Sequence, residues 1–437
     1  MKAMILNGAC QDDAYARLAR RALDAELAEQ GWEQTWYDLA ERKIAPCMGD
    51  FFCFVRTPGM CMSDDVNREI AREMVRSDLL VLFTPITFGG YSSELKKAVD
   101  HFIQNVLPYF SRREGEIHHT KRYARYPDLL VIGWLPEPDP ERERIFRALV
   151  HRNALNFYSP SHACGTLHAR QEEAETRAHI HQLLESLHHG GDRDTPVVEN
   201  DDEAGPRVLL SPAPRTALLL VGSPRASKST SEALGSYLME QLAAAGLRAS
   251  TLHVQSCLQS EEGTRELLAA VRGSDLVMLA FPLYIDSLPA PLIRALELIA
   301  AERLHPQSLK PQILSVIINC GFPEAAHNRT GMAICRQFAR QASFAWAGSM
   351  LLGAGEGLIH GTPLKELGGR AKPLTNALDS AAKALQHGEA IPAAARISIA
   401  RNVIPPRLYL LMGWLGWKIS ARRYKTGRRL RAQPYMA

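Results

Sequence analysis

The sequence predicts an α/β protein in which two doubly wound parallel sheets follow one another along the chain. Short apolar runs, AMILNG, DLLVLFTP and DLLVIGW, alternate with longer helical stretches, the spacing of βαβ units that build a parallel sheet. The second half repeats them as ALLLVGSP, DLVMLAFP and ILSVIINCG. The likeness reaches single residues. SDLLVLFTPITFGGYSSELKKAVDHF from Ser77 lies over SDLVMLAFPLYIDSLPAPLIRALELI from Ser274 with Ser, Asp, Leu, Pro, Leu and Ala in register, which marks an internal duplication.

Length and composition agree with two cores. At about 100 to 200 residues per domain, 437 residues make two domains or three. The copies are joined by HHGGDRDTPVVENDDEAGPRVLLSPAPR, rich in Gly, Pro and acids and without periodicity, as a surface linker is. The expected division is 1–189, a linker 190–213, a second domain 214–390 and a basic amphipathic tail 391–437. Hydrophobic residues at 46% and charged residues at 22% exclude a disordered or fibrous chain. A net charge of +4 with scattered Lys and Arg argues against a nucleic-acid partner. The start MKAMILNGAC has no signal-peptide core, and no apolar run reaches the length of a membrane span. Eight cysteines without an evenly paired framework suit a reducing compartment, so the expected location is the cytoplasm.

Aligning the copies isolates what differs. Gly8 pairs with Gly222, Ser77 with Ser274 and Pro127 with Pro311. The falling offsets leave the first copy with about 17 extra residues around CMGDFFCFVRTPGMCMSDD and about 13 around SRREGEIHHTKRYARYP.

Ligands of an open parallel sheet collect beyond the carboxyl ends of its strands. After the first strand of the second copy, GSPRASKSTSEALGSYL offers Ser223, Pro224, Arg225, Lys228, Ser229, Thr230 and Ser231 ahead of a helix N-terminus, a combination suited to a phosphate monoester. The loop is neither a Walker A nor a GxGxxG loop. The next carboxyl-end loop brings Pro282, Leu283, Tyr284 and Ile285, and the third brings Gly321 and Phe322. A phosphate loop and two aromatic-bearing loops on one rim describe a flavin mononucleotide pocket.

In these residues, LLLVGSPRASKSTSEAL and FPLYIDSLPAPLIRALELI, the second copy resembles the flavodoxin-like NADPH-dependent FMN reductases. LNG, PCMGDFFCFVRTPGMCMSDD and TPITFGGYSSELKKAVDHFI are similar to the related iron-sulfur flavoprotein and multimeric flavodoxin branch. The resemblance covers most of both copies. It implies flavodoxin-like five-stranded parallel sheets, FMN as cofactor, NAD(P)H as co-substrate and electron transfer to a small acceptor. Carried over by position, Ser223, Arg225, Ser229, Thr230 and Ser231 would hold the phosphate, and Pro282 to Ile285 would border the isoalloxazine. Because relatives commonly wall the flavin with a neighbouring subunit, the resemblance also implies a pseudo-dimer within the chain or a homodimer.

The first copy departs from the pattern at NGACQDDAYARL, where Asp12 and Asp13 replace the hydroxyls and would repel a phosphate. One FMN per chain, in the second copy, is therefore expected. Cys47, Cys53 and Cys61 are the candidate metal or iron-sulfur ligands, but Asp50 stands where the iron-sulfur relatives carry a further thiolate. Three thiolates fall short of the usual four, so packing by Phe51, Phe52 and Phe54, as a lid or interface, is the favoured role of this loop. No catalytic acid or base is assigned. Glu324 and His327 are within reach of the pocket, and solvent exposure serves them equally well. His118, His119, His179 and His181 are read as polar-surface residues.

From Pro405 the chain runs PPRLYLLMGWLGWKISARRYKTGRRLRAQPYMA, an apolar-aromatic run followed by bases and no acid. The run is too short to span a bilayer but suits an interfacial helix on anionic lipid. Packing of its aromatics onto the second domain is the competing expectation. The sequence thus leads to an FMN-dependent oxidoreductase passing electrons from NAD(P)H to a small, quinone-like acceptor, with a peripheral contact to the inner face of the membrane. The alternative is a non-enzymatic flavodoxin-like electron carrier or interaction module.

Overall fold

The structure is a computed structural model that describes residues 1–10, 13–192, 198, 212–225, 228–304, 310–401 and 404–436. Asp12, Ser227 and most of the expected linker lie outside the described residues. The chain divides into two compact units, Met1–Val197 with Arg407–Ala437, and Val198–Pro406.

The first unit contains strands β1 (Lys2–Asn7), β2 (Glu33–Asp38), β3 (Leu79–Pro85), β4 (Val106–Arg113), β5 (Glu116–Lys121), β6 (Asp128–Leu135) and β7 (His162–His168). Its five-stranded sheet runs β2-β1-β3-β6-β7, all parallel. The second unit contains β8 (Thr216–Val221), β9 (Arg248–His253), β10 (Leu276–Pro282), β11 (Ile313–Asn319) and β12 (Ala345–Leu352), in the equivalent order β9-β8-β10-β11-β12. Both sheets thus have the 2-1-3-4-5 order of a doubly wound flavodoxin-like fold. β3, β10 and β11 are buried almost throughout, as a parallel sheet covered by helices on both faces demands. β9 is an edge strand and its sequence RASTLH is correspondingly polar.

The repeated Ser-Asp pair has the same task in both units. Ser77 Oγ donates to Glu73 O and Ser274 Oγ to Ala270 O, each closing the helix that precedes the strand. Asp78 accepts from the Lys2 backbone N–H, and Asp275 from those of Arg215 and Thr216. The first strand is thereby fastened beside the third.

The first unit carries two additions. β4 and β5 form an antiparallel hairpin turning at Glu114 (φ 48°) and Gly115 (φ 86°), positive at both central positions as a type I′ turn requires. The cysteine-bearing segment follows β2 and contains the short helix Phe52–Val55. The histidines of the hairpin do not lie on a polar surface: His118 is fully buried, and burial pushes the His119 imidazole down to about 4.

The expected tail from residue 391 does not form one element. The helix Ala393–Ala400 packs Ala395 and Ile399 into the core of the second unit, following the helix Lys372–Leu385. Residues 407 onward instead join the first unit through the helix Pro406–Arg423 and the turns behind it. Their aromatics pack there and not on the second domain: Trp417 meets Phe51 and Phe54, and Tyr424 meets Phe52. Arg122, 2% exposed, donates to the carbonyls of Gln104, Val106, Leu430 and Ala432. Gln433 returns a bond to Arg122 O, and Tyr435 donates to Gln104 Oε1 at 2.8 Å.

Burial works to raise the Asp275 carboxyl, but Lys310 and the backbone donors hold it down at about 2. Its unfolded value is near 3.9. A lowered folded value gives a stabilisation present above the unfolded one and lost as pH falls from about 4 to about 2. The melting-temperature difference between the protein and Asp275→Asn, followed by circular dichroism, should therefore shrink over that window. A difference independent of pH would contradict it.

Candidate functional site

In the second unit four carboxyl-end loops converge. The loop after β8 leads to the helix Thr230–Ala244, capped by Ser229, whose Oγ accepts from Glu232 N. That cap satisfies one N–H of the first turn. The N–H groups of Thr230 and Ser231 at the head of the helix have no intrahelical acceptor and the cap is a neutral hydroxyl, while Glu232 stands in the first turn with its carboxylate 3.0 Å from His253 Nε2. Ser223, Ser229, Thr230 and Ser231 are all buried. Ser231 Oγ donates to Asn319 Oδ1 at 2.8 Å, tying this loop to the end of β11. Lys228 is exposed.

Arg225 makes a contact that the sequence did not announce. Its Nη1 donates to Glu356 Oε1 at 2.9 Å and its Nη2 to Glu356 Oε2, a two-pronged pair. Burial works against the Glu356 charge, but Arg225 and His360 hold its carboxyl below the usual range. Thr230 Oγ1 also donates to Glu356 Oε2 at 3.4 Å. The fourth loop is thus drawn in behind β12, where a Cβ on Gly355 would stand 3.1 Å from Thr230 Cγ2. Glu356 was missed because its spacing of 131 residues from Arg225 carries no pattern.

The loop after β10 is a tight turn. Tyr284 and Ser287 exchange backbone hydrogen bonds around Ile285 (φ 46°) and Asp286 (φ 57°). Pro282, Leu283, Tyr284 and Ile285 are all half-buried, an apolar rim beside the phosphate-type loop. After β11, Gly321 is exposed with open space where a Cβ would be, and Phe322 is half-buried. Phe322 stacks on His327 at 4.7 Å. His327 is buried beneath it, so solvent exposure does not describe this residue. Pro224 lies in the turn between Ser223 and Arg225. The predicted cofactor residues therefore share one edge of one sheet. Donors at a helix start, two cationic side chains and a half-covered apolar rim fit a phosphate-bearing flat heterocycle.

The first unit closes the same place. Asp13 caps the helix Ala14–Glu29, accepting from Ala16 N at 2.9 Å, and Trp134 Nε1 donates to its other oxygen at 2.9 Å. A carboxylate thus stands where a phosphate would approach. The loop after β3 repeats the second unit's turn, with Thr87 and Gly90 bridged around Phe88 (φ 54°) and Gly89 (φ 85°). Ile86, Phe88 and Tyr91 are buried, and a Cβ on Gly89 would lie 3.0 Å from Ile145. The helix Pro140–Phe157 therefore covers the rim that is half open in the second unit.

Cys47, Cys53 and Cys61 lie close enough for the charges of Cys47, Cys61 and Asp50 to act on the Cys53 thiol. No group of three or more His, Cys, Asp or Glu among the described residues is arranged to hold a metal ion. Asp50 accepts from Phe52 N at 2.9 Å and shapes the turn into the short helix. Burial pushes the Cys47 thiol up to about 12 and that of Cys53 well above its ordinary range. Cys61 differs: its Sγ lies 3.4 Å from His101 Nδ1, and His101 Nε2 lies 2.8 Å from Ala45 O. Burial raises this thiol, but the hydrogen bond and charge of His101 outweigh it and hold it below the usual value. The same pairing raises His101 against its own burial.

Residues 1–118 and 216–350 match the NADPH-dependent FMN reductase family. A curated relative, an iron-sulfur flavoprotein of Methanocaldococcus jannaschii, is 35% identical over 102 residues, 23% of this chain and 51% of that protein. The chain thus spans about half the length of the curated relative it matches. Among solved structures, an NAD(P)H:quinone oxidoreductase from Methanothermobacter marburgensis is 15% identical, covering 43% of this chain and 98% of its own, with a TM-score of 0.34. An NADH:FMN oxidoreductase is 16% identical, covering 43% of this chain and 89% of its own, with a TM-score of 0.29.

The His101 contact predicts that iodoacetamide labels Cys61 at a lower pH than an ordinary thiol, read by peptide mass spectrometry. His101→Asn should move the onset upward. The same onset in both proteins would show that the imidazole does not activate the sulfur.

Proposed function

The chain belongs to the NADPH-dependent FMN reductase family, and from that premise we propose an FMN-dependent oxidoreductase carrying electrons from NAD(P)H to a small, electron-poor acceptor of quinone type. The observation that carries the proposal is the contrast between the two units. In the second, a helix start capped by a neutral hydroxyl stands beside a half-open apolar rim, whereas the first has a carboxylate cap in the one place and a packed helix over the other. One FMN per chain, in the second unit, follows.

In this reading Thr230 and Ser231 give backbone N–H groups to the phosphate, with Arg225 and Lys228 supplying positive charge. Ser231 is held by Asn319, so the loop is set before the ligand arrives. Pro282 to Ile285 and Phe322 border the ring and keep water from one side of it. Bound FMN would supply the two-electron chemistry that links a nicotinamide donor to the acceptor. Orientation, not a side-chain acid or base, is what the protein contributes. Glu356 competes with the phosphate for Arg225, so its removal should favour the ligand.

The purified protein should be yellow or take up one added FMN per chain, and its absorbance should bleach with NADPH and return with a quinone. A protein that stays colourless with excess FMN defeats the proposal, and flavin uptake without bleaching leaves an electron carrier.

Separately, Arg225→Ala should weaken FMN binding by about tenfold, the scale of a charge-assisted hydrogen bond. Glu356→Gln should tighten it by a similar factor, because a carboxylate near a phosphate costs on the order of 1 to 3 kcal/mol at partly exposed sites. Fluorescence titration of FMN reads both, and unchanged affinity in both variants would remove the phosphate site from this loop.

A further inference from the structure

The helix Pro406–Arg423 has two apolar faces, and the first unit uses only one. Tyr409, Gly413, Trp417 and Ala421 follow one another at intervals of four, and this is the face that packs. Tyr409 meets Phe110, a Cβ on Gly413 would lie 2.5 Å from the same ring, Trp417 meets Phe51 and Phe54, and Ala421 is fully buried. At 3.6 residues per turn, Leu408, Leu411, Met412, Leu415 and Ile419 form a single stripe on the other side. They range from 44% exposed at Leu415 to 63% at Ile419. Five adjacent large apolar side chains on one outward stripe are a feature that soluble surfaces normally avoid.

The stripe has a charged margin of one sign. Arg407, Arg422, Arg423, Lys425, Arg428, Arg429 and Arg431 are exposed, and Lys418 lies with its Nζ 3.6 Å from the centre of the Trp414 ring. From Pro405 to Ala437 there is no acidic residue. No helix is long and apolar enough to cross a membrane among the described residues. We propose that this helix lies flat on an anionic lipid surface, its Leu408, Leu411, Met412, Leu415 and Ile419 stripe entering the acyl boundary while the flanking bases meet the headgroups. Apolar side chains at the centre of the patch favour lipid over nucleic acid, whose phosphates would leave the stripe in water. The bonds of Arg122 to Leu430 and Ala432 keep the segment behind the helix fixed to the first unit, so the face is presented on a rigid body. The inference is independent of whether FMN binds.

The test uses the full chain with sedimenting vesicles. Vesicles containing phosphatidylglycerol should bring the protein down at low salt, phosphatidylcholine vesicles should not, and raising the salt should release it. Leu411→Glu with Leu415→Glu changes only exposed positions and should abolish sedimentation. Replacing Arg428 and Arg429 by Ala should weaken it by roughly fivefold for each base. Loss of binding with an unchanged circular dichroism melt excludes misfolding. Absence of sedimentation at low salt overturns the proposal. So does a concentration-dependent dimer abolished by the Glu pair with no vesicle binding, or binding to a single-stranded RNA that vesicles do not displace.

Discussion

Each unit points the start of its first helix over the carboxyl edge of its sheet, and the group that meets those N–H donors is what differs between the two. In the first unit the meeting group is internal. Asp13 brings a full negative charge, and Trp134 fixes its second oxygen. The dipole is compensated, and a phosphate would meet a carboxylate instead of donors. In the second unit Ser229 caps with a hydroxyl, which satisfies one N–H and neutralises nothing. Arg225 and Lys228 add positive charge there, opposed by Glu356 and by Glu232 in the first turn. Two copies of one fold thus differ in the charge of a cap, with the strand order unchanged.

The cysteine-bearing insertion and the C-terminal segment explain one another. Three phenylalanines beside the cysteines find Trp417 and Tyr424, and Thr426 Oγ1 donates to Val55 O. Gly59, in the TPG turn, has φ +88°, and a Cβ there would stand 2.7 Å from Pro434. The turn therefore needs glycine twice over, for its backbone and for its neighbour. Arg122 completes the closure. Its buried guanidinium meets four carbonyls through Nε and Nη1 without a counter-charge, and burial accordingly lowers its affinity for a proton. Of the three thiols in this segment, Cys61 is the one set apart by a side-chain partner, His101.

The strands were legible because burial on both faces writes continuous apolar runs, and because the duplication printed each signal twice. The phosphate-type loop was legible for a local reason: cap, hydroxyls and cations fall within nine residues, from Ser223 to Ser231. The pairing of Arg225 with Glu356, the His101 contact of Cys61 and the burial of His118 and His327 were not, since each joins or encloses residues far apart in the chain. The tail shows the same limit. Its run of apolar residues and bases was plain, yet a one-dimensional run does not say which aromatic faces protein and which aliphatic faces out.

By itself the sequence determined the two parallel α/β sheets, their duplication, the positions of the insertions and the carboxylate at the first helix start, all matters of local pattern and register. Tertiary structure decided that residues 407 onward belong with the first unit, that the cysteine segment is packed by aromatics, and that a carboxylate from behind β12 sits on the arginine of the phosphate-type loop. Contacts of that kind depend on how distant surfaces fit once the sheets exist, and fit between distant surfaces leaves no period in the chain.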